Sequence, residues 1–264
     1  MSSAAAETPL PADPWAKPLP SGVAPVPPAY WGVWSRTLLE APGLRDDTTL
    51  VRWMQLGRWH ADLRVPLNPA GQRTTALASQ QGFSGVTEVS RRGDSEVCSW
   101  HRVVDYQPPG PFPDAGEMRF ETPDRVIETG IHGVYREVWE RLPLSTSPLI
   151  ALGEPPRADG QPSARLFIAG HYLMRVRPLP LLLPLPLALP LSAALLPNDN
   201  FEISFGTLQA GDWRIAHATL PALEGTALAL QVQRTSGEAA WVQCGPEAGA
   251  WRVLEWQGSD TLHF

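Results

Sequence analysis

Cysteine and lysine are nearly missing from this 264-residue chain, which holds only Cys98, Cys244 and Lys17 of these two types. Two cysteines this far apart, on what read as different structural units, offer neither a short-loop disulfide nor a Cys-x-x-Cys pair. They are expected as small buried hydrophobes on strands, in a reducing, cytoplasmic compartment. With one lysine and a formal net charge of −6, the chain lacks the basic field that nucleic-acid binding depends on, so no nucleic-acid partner is expected. The remaining basic residues are arginines, a bias that either carboxylate pairing or genome composition produces.

Catalytic signatures are missing too. The six histidines (60, 101, 132, 171, 217 and 263) show no i+2 or i+4 pairing, so no metal site is expected. There is no Gly-x-Ser-x-Gly elbow, no lysine-bearing phosphate loop and no dinucleotide fingerprint, and no cofactor is expected.

What is present is β texture punctuated by tryptophan. Residues 1–29 carry eight prolines and few large apolar groups, which predicts a disordered tail without the marks of a targeting peptide. From Tyr30 onward apolar and polar residues alternate, as in Ala61-Asp62-Leu63-Arg64-Val65, Glu96 to Val103, and Gly133 to Trp139. Turn signals separate these runs at Gly57-Arg58, Arg92-Gly93-Asp94 and Pro123-Asp124. One short helical interval is predicted, roughly Thr74 to Gln81, ended by Gly82. Four Gly-x-Trp triplets begin at Gly32, Gly57, Gly211 and Gly249, and short strands with aromatic fillers suit small antiparallel barrels.

A turn-rich stretch around Ser145–Pro148 and Gly153–Gly160 reads as a connection, after which six further strand-like runs follow. The division predicted is a tail over 1–29, a first barrel over 30–146 and a second over 147–264. The partial echo of Gly57-Arg58-Trp59 in Gly211-Asp212-Trp213 favours duplication. Within the second unit, residues 178–197 form an uncharged Pro-Leu run. Its length would suit a membrane span, but its interior prolines each cost a helix about 3 kcal/mol, so no span is expected. It reads as an apolar insertion or lid over the second unit, or as a contact surface for a protein partner or a membrane face.

Two sets of residues are candidates for function. Period-two alternation puts His101, Val103 and Asp105 on one face; an inward His101/Asp105 pair suits acid–base work, and an outward one is a solvated surface pair. The same rule puts Tyr135, Glu137 and Trp139 on one face, with Tyr135 and Glu137 as polar lining or as partners of cross-strand arginines. Arg36, Arg52, Asp62, Arg64, Glu88 and Arg102 complete a possible arginine–carboxylate network in or around the first barrel.

Gly32-Val33-Trp34 is similar to the Gly-x-Trp that opens lipocalin barrels. The chain also resembles a little-characterised set of proteins in Trp31 to Glu40, Ala61 to Pro66, Gln80 to Gly85, Trp100-His101-Arg102 and Tyr135 to Trp139. More distantly, Tyr135 to Trp139, Leu166 to Tyr172, Glu202 to Gly206 and Trp251 to Trp256 are similar to the fungal Hri family, named for interaction with a casein kinase. The resemblance implies an all-β chain of two tandem lipocalin-like barrels with short helices, and carries no kinase interaction across.

The function this suggests is binding of a small, largely apolar ligand with a polar or anionic end. Arg36, Arg64 and Arg102 would recognise that end, and Trp34, Trp53 and Trp100 would pack on the rest. The alternatives are a cyclase, isomerase or lyase using His101, Asp105, Tyr135 and Glu137, and a protein-interaction module using the tail and the Pro-Leu run.

Overall fold

The computed structural model describes residues 22–74, 79–107, 113–155, 163–178 and 201–259. Among them the regular elements are strands, with short 3-10 turns at Pro28–Tyr30 and Pro221–Leu223 and a 3-10 residue at Ser79. The first unit comprises β1 (Gly32–Ala41), β2 (Leu44–Asp46), β3 (Leu50–Gln55), β4 (Trp59–Val65), β5 (Gln81–Arg92), β6 (Ser95–Asp105), β7 (Asp114–Thr122), β8 (Arg125–Gly130) and β9 (Arg136–Arg141). These pair antiparallel in chain order. β1 then pairs with β9, which closes an eight-stranded barrel, while the short β2 extends the outer end of β1. Closure leaves the ladder without a free edge.

The second unit comprises β10 (Leu149–Gly153), β11 (Arg165–Ala169), β12 (Tyr172–Pro178), β13 (Phe201–Gln209), β14 (Asp212–Ala218), β15 (Ala227–Leu228), β16 (Leu230–Arg234), β17 (Ala239–Cys244) and β18 (Glu247–Gln257). Their order, β15-β14-β13-β12-β11-β10-β18-β17-β16, is that of a curled sheet whose two edge strands are joined only by Ala229. The architecture is all-β and consistent with two tandem barrels.

Several local expectations are revised. Of the predicted helix over Thr74–Gln81, Ser79 is in a 3-10 conformation, while Thr74 and Gln80 are irregular and Gln81 and Gly82 belong to β5; residues 75–78 lie outside the described residues. Gly82 is required for contact instead: a Cβ there would sit 3.0 Å from Ile203 Cδ1 of the second unit. The run Leu166 to Met174 is a hairpin turned at Gly170-His171, and Ala227 to Val232 is split into β15 and β16. Of the tail, residues 1–21 lie outside the described residues. Val26 is buried, and its N–H bonds Gly57 O at 2.5 Å, so the chain joins the first barrel before Tyr30. The Pro-Leu run beyond Pro178 also lies outside the described residues.

Strand alternation feeds three apolar cores. Inside the first barrel, Tyr30, Trp34, Trp53, Cys98, Trp100, Met118, Val126 and Trp139 form a plug. Inside the second unit, Ile150, Leu166, Trp213, Val242 and Trp251 belong to another. The largest lies between the units, where Met54, Ala61, Leu63 and Val65 on the outer face of β3 and β4 pack on Ala151, Phe167, Met174, Ile203 and Phe205. On β4 the outward Trp59, Ala61, Leu63 and Val65 alternate with the inward His60, Asp62 and Arg64, so the strand gives one apolar face to the second unit and one polar face to the barrel interior. The two units share a core.

Candidate functional site

The interior of the first barrel changes character along its axis. Its floor is the tryptophan plug: Trp53 stands edge-on to Trp100 and Trp139 at centroid separations of 5.4 and 5.6 Å, and stacks on Trp34 at 6.2 Å. The indole N–H of Trp34 donates to Tyr30 O at 2.7 Å, and that of Trp53 donates to Gln55 Oε1 at 3.2 Å. Above the plug, a void of about 10 Å³ among Trp53, Trp100, Trp139 and Glu128 has room for one water. Above that, a cup of about 450 Å³ opens past the β8–β9 loop, and its wall includes Arg36, Arg64, Asp114, Glu128, Tyr135 and Glu137.

Ion pairs line this cup. Arg36 bridges Glu137 at 2.6 Å and Asp46 at 2.7 Å. Arg64 Nε bonds Asp62 at 2.9 Å. Arg102 holds Asp114 at 2.5 Å and Asp105 at 3.1 Å, with its guanidinium 3.5 Å from the Phe83 ring centre. Burial works against the Arg64 charge, but Asp62, Glu137 and Asp114 outweigh it and raise its pKa. Burial also pushes Asp46 up, and hydrogen bonds from Thr49 and Thr48 with the Arg36 charge reverse this, leaving its pKa lowered.

Glu128 differs from these. It is 3% exposed and receives the Tyr135 hydroxyl at 2.7 Å and the Trp139 indole N–H at 3.0 Å. Its cross-strand partner is Glu137, so two carboxylates stand opposite one another and Arg36 is spent on the other. Burial first, then Glu137 and Asp114, hold the Glu128 carboxyl well above the ordinary value of 4.5, despite the attraction of Arg64. Burial and Glu128 likewise raise the Tyr135 hydroxyl. Two facing glycines make the room: a Cβ on Gly116 would lie 2.5 Å from Glu128 Cγ, and one on Gly130 would lie 2.3 Å from the Tyr135 ring.

The raised Glu128 pKa has a consequence for stability. Between 4.5 and the folded value, the folded chain keeps a proton that the unfolded chain has lost, so stability falls as pH rises through that window. Glu128→Gln removes this slope. Urea midpoints measured from pH 5 to pH 8 are expected to decline more in the native chain than in the variant; parallel declines would contradict the protonated Glu128.

The sequence-selected residues divide between cup, plug and surface. Arg36, Arg64, Tyr135 and Glu137 line the cup. Arg102 is just beneath, over Phe83, while Trp34, Trp53 and Trp100 form the plug rather than the wall of the cup. The expectation that His101 and Asp105 share a face is overturned. A bulge at Val103 shifts the β5–β6 register, so Asp105 pairs with the inward Phe83 and His101 with Val86. His101 is on the outside, its Nε2 3.0 Å from Glu88, and the quartet His101, Asp105, Tyr135 and Glu137 is not assembled. Arg52 also faces out of the first barrel, near Phe205 of the second unit. Sequence reasoning missed Glu128, Asp114 and Asp46; the available signal was the mid-strand Gly116, which marks a close approach by a neighbouring side chain.

With this geometry in view, the chain was compared with known proteins. No protein-family model matches it, and a search of curated proteins finds no significant match. Among solved structures it is similar to the crystal structure of an uncharacterized protein from Saccharomyces cerevisiae, YLR301w, with a TM-score of 0.61 and 11% identity. The likeness is one of fold. It covers 86% of this chain and 99% of the yeast chain, so both units take part in it. Among the described residues no helix is long and apolar enough to cross a membrane, and no group of three or more His, Cys, Asp or Glu residues is placed to hold a metal ion.

Proposed function

We propose that the chain is a lipocalin-like binding protein whose first barrel takes a small ligand into the cup above the tryptophan plug, in keeping with the resemblance in its Gly-x-Trp and Tyr135–Trp139 segments. The observation that carries this reading is the cup itself. Its volume of about 450 Å³ lies within the usual range of small-ligand sites, and buried polar groups are held at its base by a rigid aromatic floor. A polar barrel interior costs stability unless every group is satisfied. Here arginines pair five of the six carboxyl groups, and Tyr135 and Trp139 hydrogen-bond the sixth, Glu128, while a space above them stays open.

The polar end of the ligand sits toward Glu128 and Tyr135, and its apolar part lies against Leu39, Ala41 and Val134 on the wall. The second unit supports the first through the shared core. Both cysteines are free and buried, which accords with a reducing, cytoplasmic setting.

A fragment screen by thermal shift tests this, run in parallel on the native chain and on Val134→Trp. Val134 is 80% exposed at the rim, so the substitution narrows the cup without disturbing a core. Fragments are expected to raise the Tm of the native chain and to lose that effect in the variant. Binders that stabilise both proteins equally, or a screen without binders, would place ligand binding elsewhere or remove it.

A further inference from the structure

The ion pairs of the cup are unevenly balanced. Six carboxyl groups face this end of the barrel interior; five of them, Asp46, Asp62, Asp105, Asp114 and Glu137, are paired with the three guanidiniums of Arg36, Arg64 and Arg102, so the negative charge is in surplus even while Glu128 keeps its proton. Each guanidinium is already committed to one or two of the carboxylates at 3.1 Å or less. An anionic ligand would therefore have to break an existing pair to gain a cation, leaving a buried carboxylate unpaired. Glu128 is the one member with neutral hydrogen-bond donors, Tyr135 and Trp139, in place of a guanidinium.

We infer that the cup selects an organic cation, a small ammonium or guanidinium with an apolar stem, whose charged end pairs with Glu128 and whose stem lies against Leu39, Ala41 and Val134. This rests on the cup being a ligand site, and it reverses the anionic end that the arginine content of the sequence suggests. The carboxylates are tied singly to arginines rather than gathered into a metal-ligand set among the described residues, which favours a molecular cation over a metal ion. Three features fit such a guest. The negative surplus gives a cation an attraction that no existing pair has to be broken to supply. The buried Glu128 carboxyl, protonated in the empty cup, gives up its proton to solvent as a cationic head group arrives and then becomes a charge-assisted acceptor at the base. The apolar rim, with Val134 open to solvent, leaves a wall for the uncharged part.

An isosteric series separates this inference from the reading it rests on. Phenethylamine, 2-phenylethanol and phenylacetate share a phenyl-bearing stem and differ in head-group charge. Titrated into the full chain by calorimetry at pH 7.5, the amine is expected to bind at least about tenfold more tightly than the alcohol, and the carboxylate most weakly. Glu128→Gln is expected to bring the amine to within about threefold of the alcohol while leaving alcohol binding in place. Alcohol or carboxylate binding as tight as the amine would overturn the charge preference and leave the cup standing. So would an amine preference undiminished in a folded Glu128→Gln. If no member of the series binds at millimolar concentration while the fragment screen yields cup binders, the charge preference fails alone; if neither experiment yields a binder, the cup reading fails with it.

Discussion

Ile203→Asp is expected to abolish folding of both units together. Ile203 is fully buried between them, and its Cδ1 occupies the space that the missing Cβ of Gly82 leaves. An aspartate there buries a carboxylate among Leu63, Val65 and Phe205, all apolar. The cost, on the order of 5 kcal/mol or more, approaches the whole stability of a typical domain. The milder Ile203→Ala should cost about 3 kcal/mol and leave a folded protein to measure. Because the largest core belongs to both units, hydrogen exchange under increasing urea should show the β3–β5 amides and the β11–β13 amides of Ile203→Ala losing protection at one lowered midpoint. Loss confined to β11–β13 would show that the first barrel stands alone.

The second large effect is expected at the plug. Trp53 touches Trp34, Trp100 and Trp139 and is 1% exposed. Trp53→Ala removes the centre of that cluster and joins its space to the small void below the cup, at a cost of about 4 kcal/mol. The effect passes to the site, because Trp139 packs on Trp53 and holds Glu128 through its indole N–H. Guanidinium unfolding should show the loss of stability. At a denaturant-free concentration where the variant remains folded, ligand affinity should fall as well. A variant with unchanged affinity would mean that the plug is structural only.

Much of the architecture is legible in the sequence because strand alternation has a period of two and turn residues punctuate it. The hairpin turns at Gly57-Arg58, Arg92-Gly93-Asp94 and Pro123-Asp124 are of this kind, as is the inward placement of Glu137 and Trp139 beside Tyr135. Three of the four Gly-x-Trp triplets mark strand starts, while the one at Gly249 lies inside β18, and the triplets share no common role. Gly32 has a φ of +118° and a Cβ there would meet Ser145 Oγ at 2.7 Å, so glycine is needed to launch β1 and set Trp34 in the plug. Gly57 leads instead to Trp59, which faces out of the first barrel and packs toward Phe167 of the second unit. Gly211 leads to Trp213, inside the second unit. Period two gives alternation without saying which face is inward.

Two other features escaped for physical reasons. A one-residue bulge inverts every face beyond it, so the shared face of His101 and Asp105 was lost at Val103, a residue with nothing unusual about it. The importance of Glu128 arises from pairing across β8 and β9, which sets it against Glu137, and from the space left by Gly116 and Gly130. Those relations are between strands, and locally they are marked by no more than the mid-strand Gly116. The arginines read as anion-binding groups although Arg64 and Arg102 have partners close by in Asp62 and Asp105, because a strand pattern does not show that these pairs form; the Glu137 partner of Arg36 lies far away in sequence. Arg36 and Glu137 are 101 residues apart.

The most direct test of a ligand cup closed by a tryptophan floor is to follow the indole N–H resonances in a ¹H–¹⁵N spectrum during titration with phenethylamine. The Trp139 signal, whose proton is bonded to Glu128, should move in a saturable way, and the Trp213 signal of the second unit should stay in place. A Trp139 resonance that stays fixed while phenethylamine binds elsewhere on the chain would contradict the account.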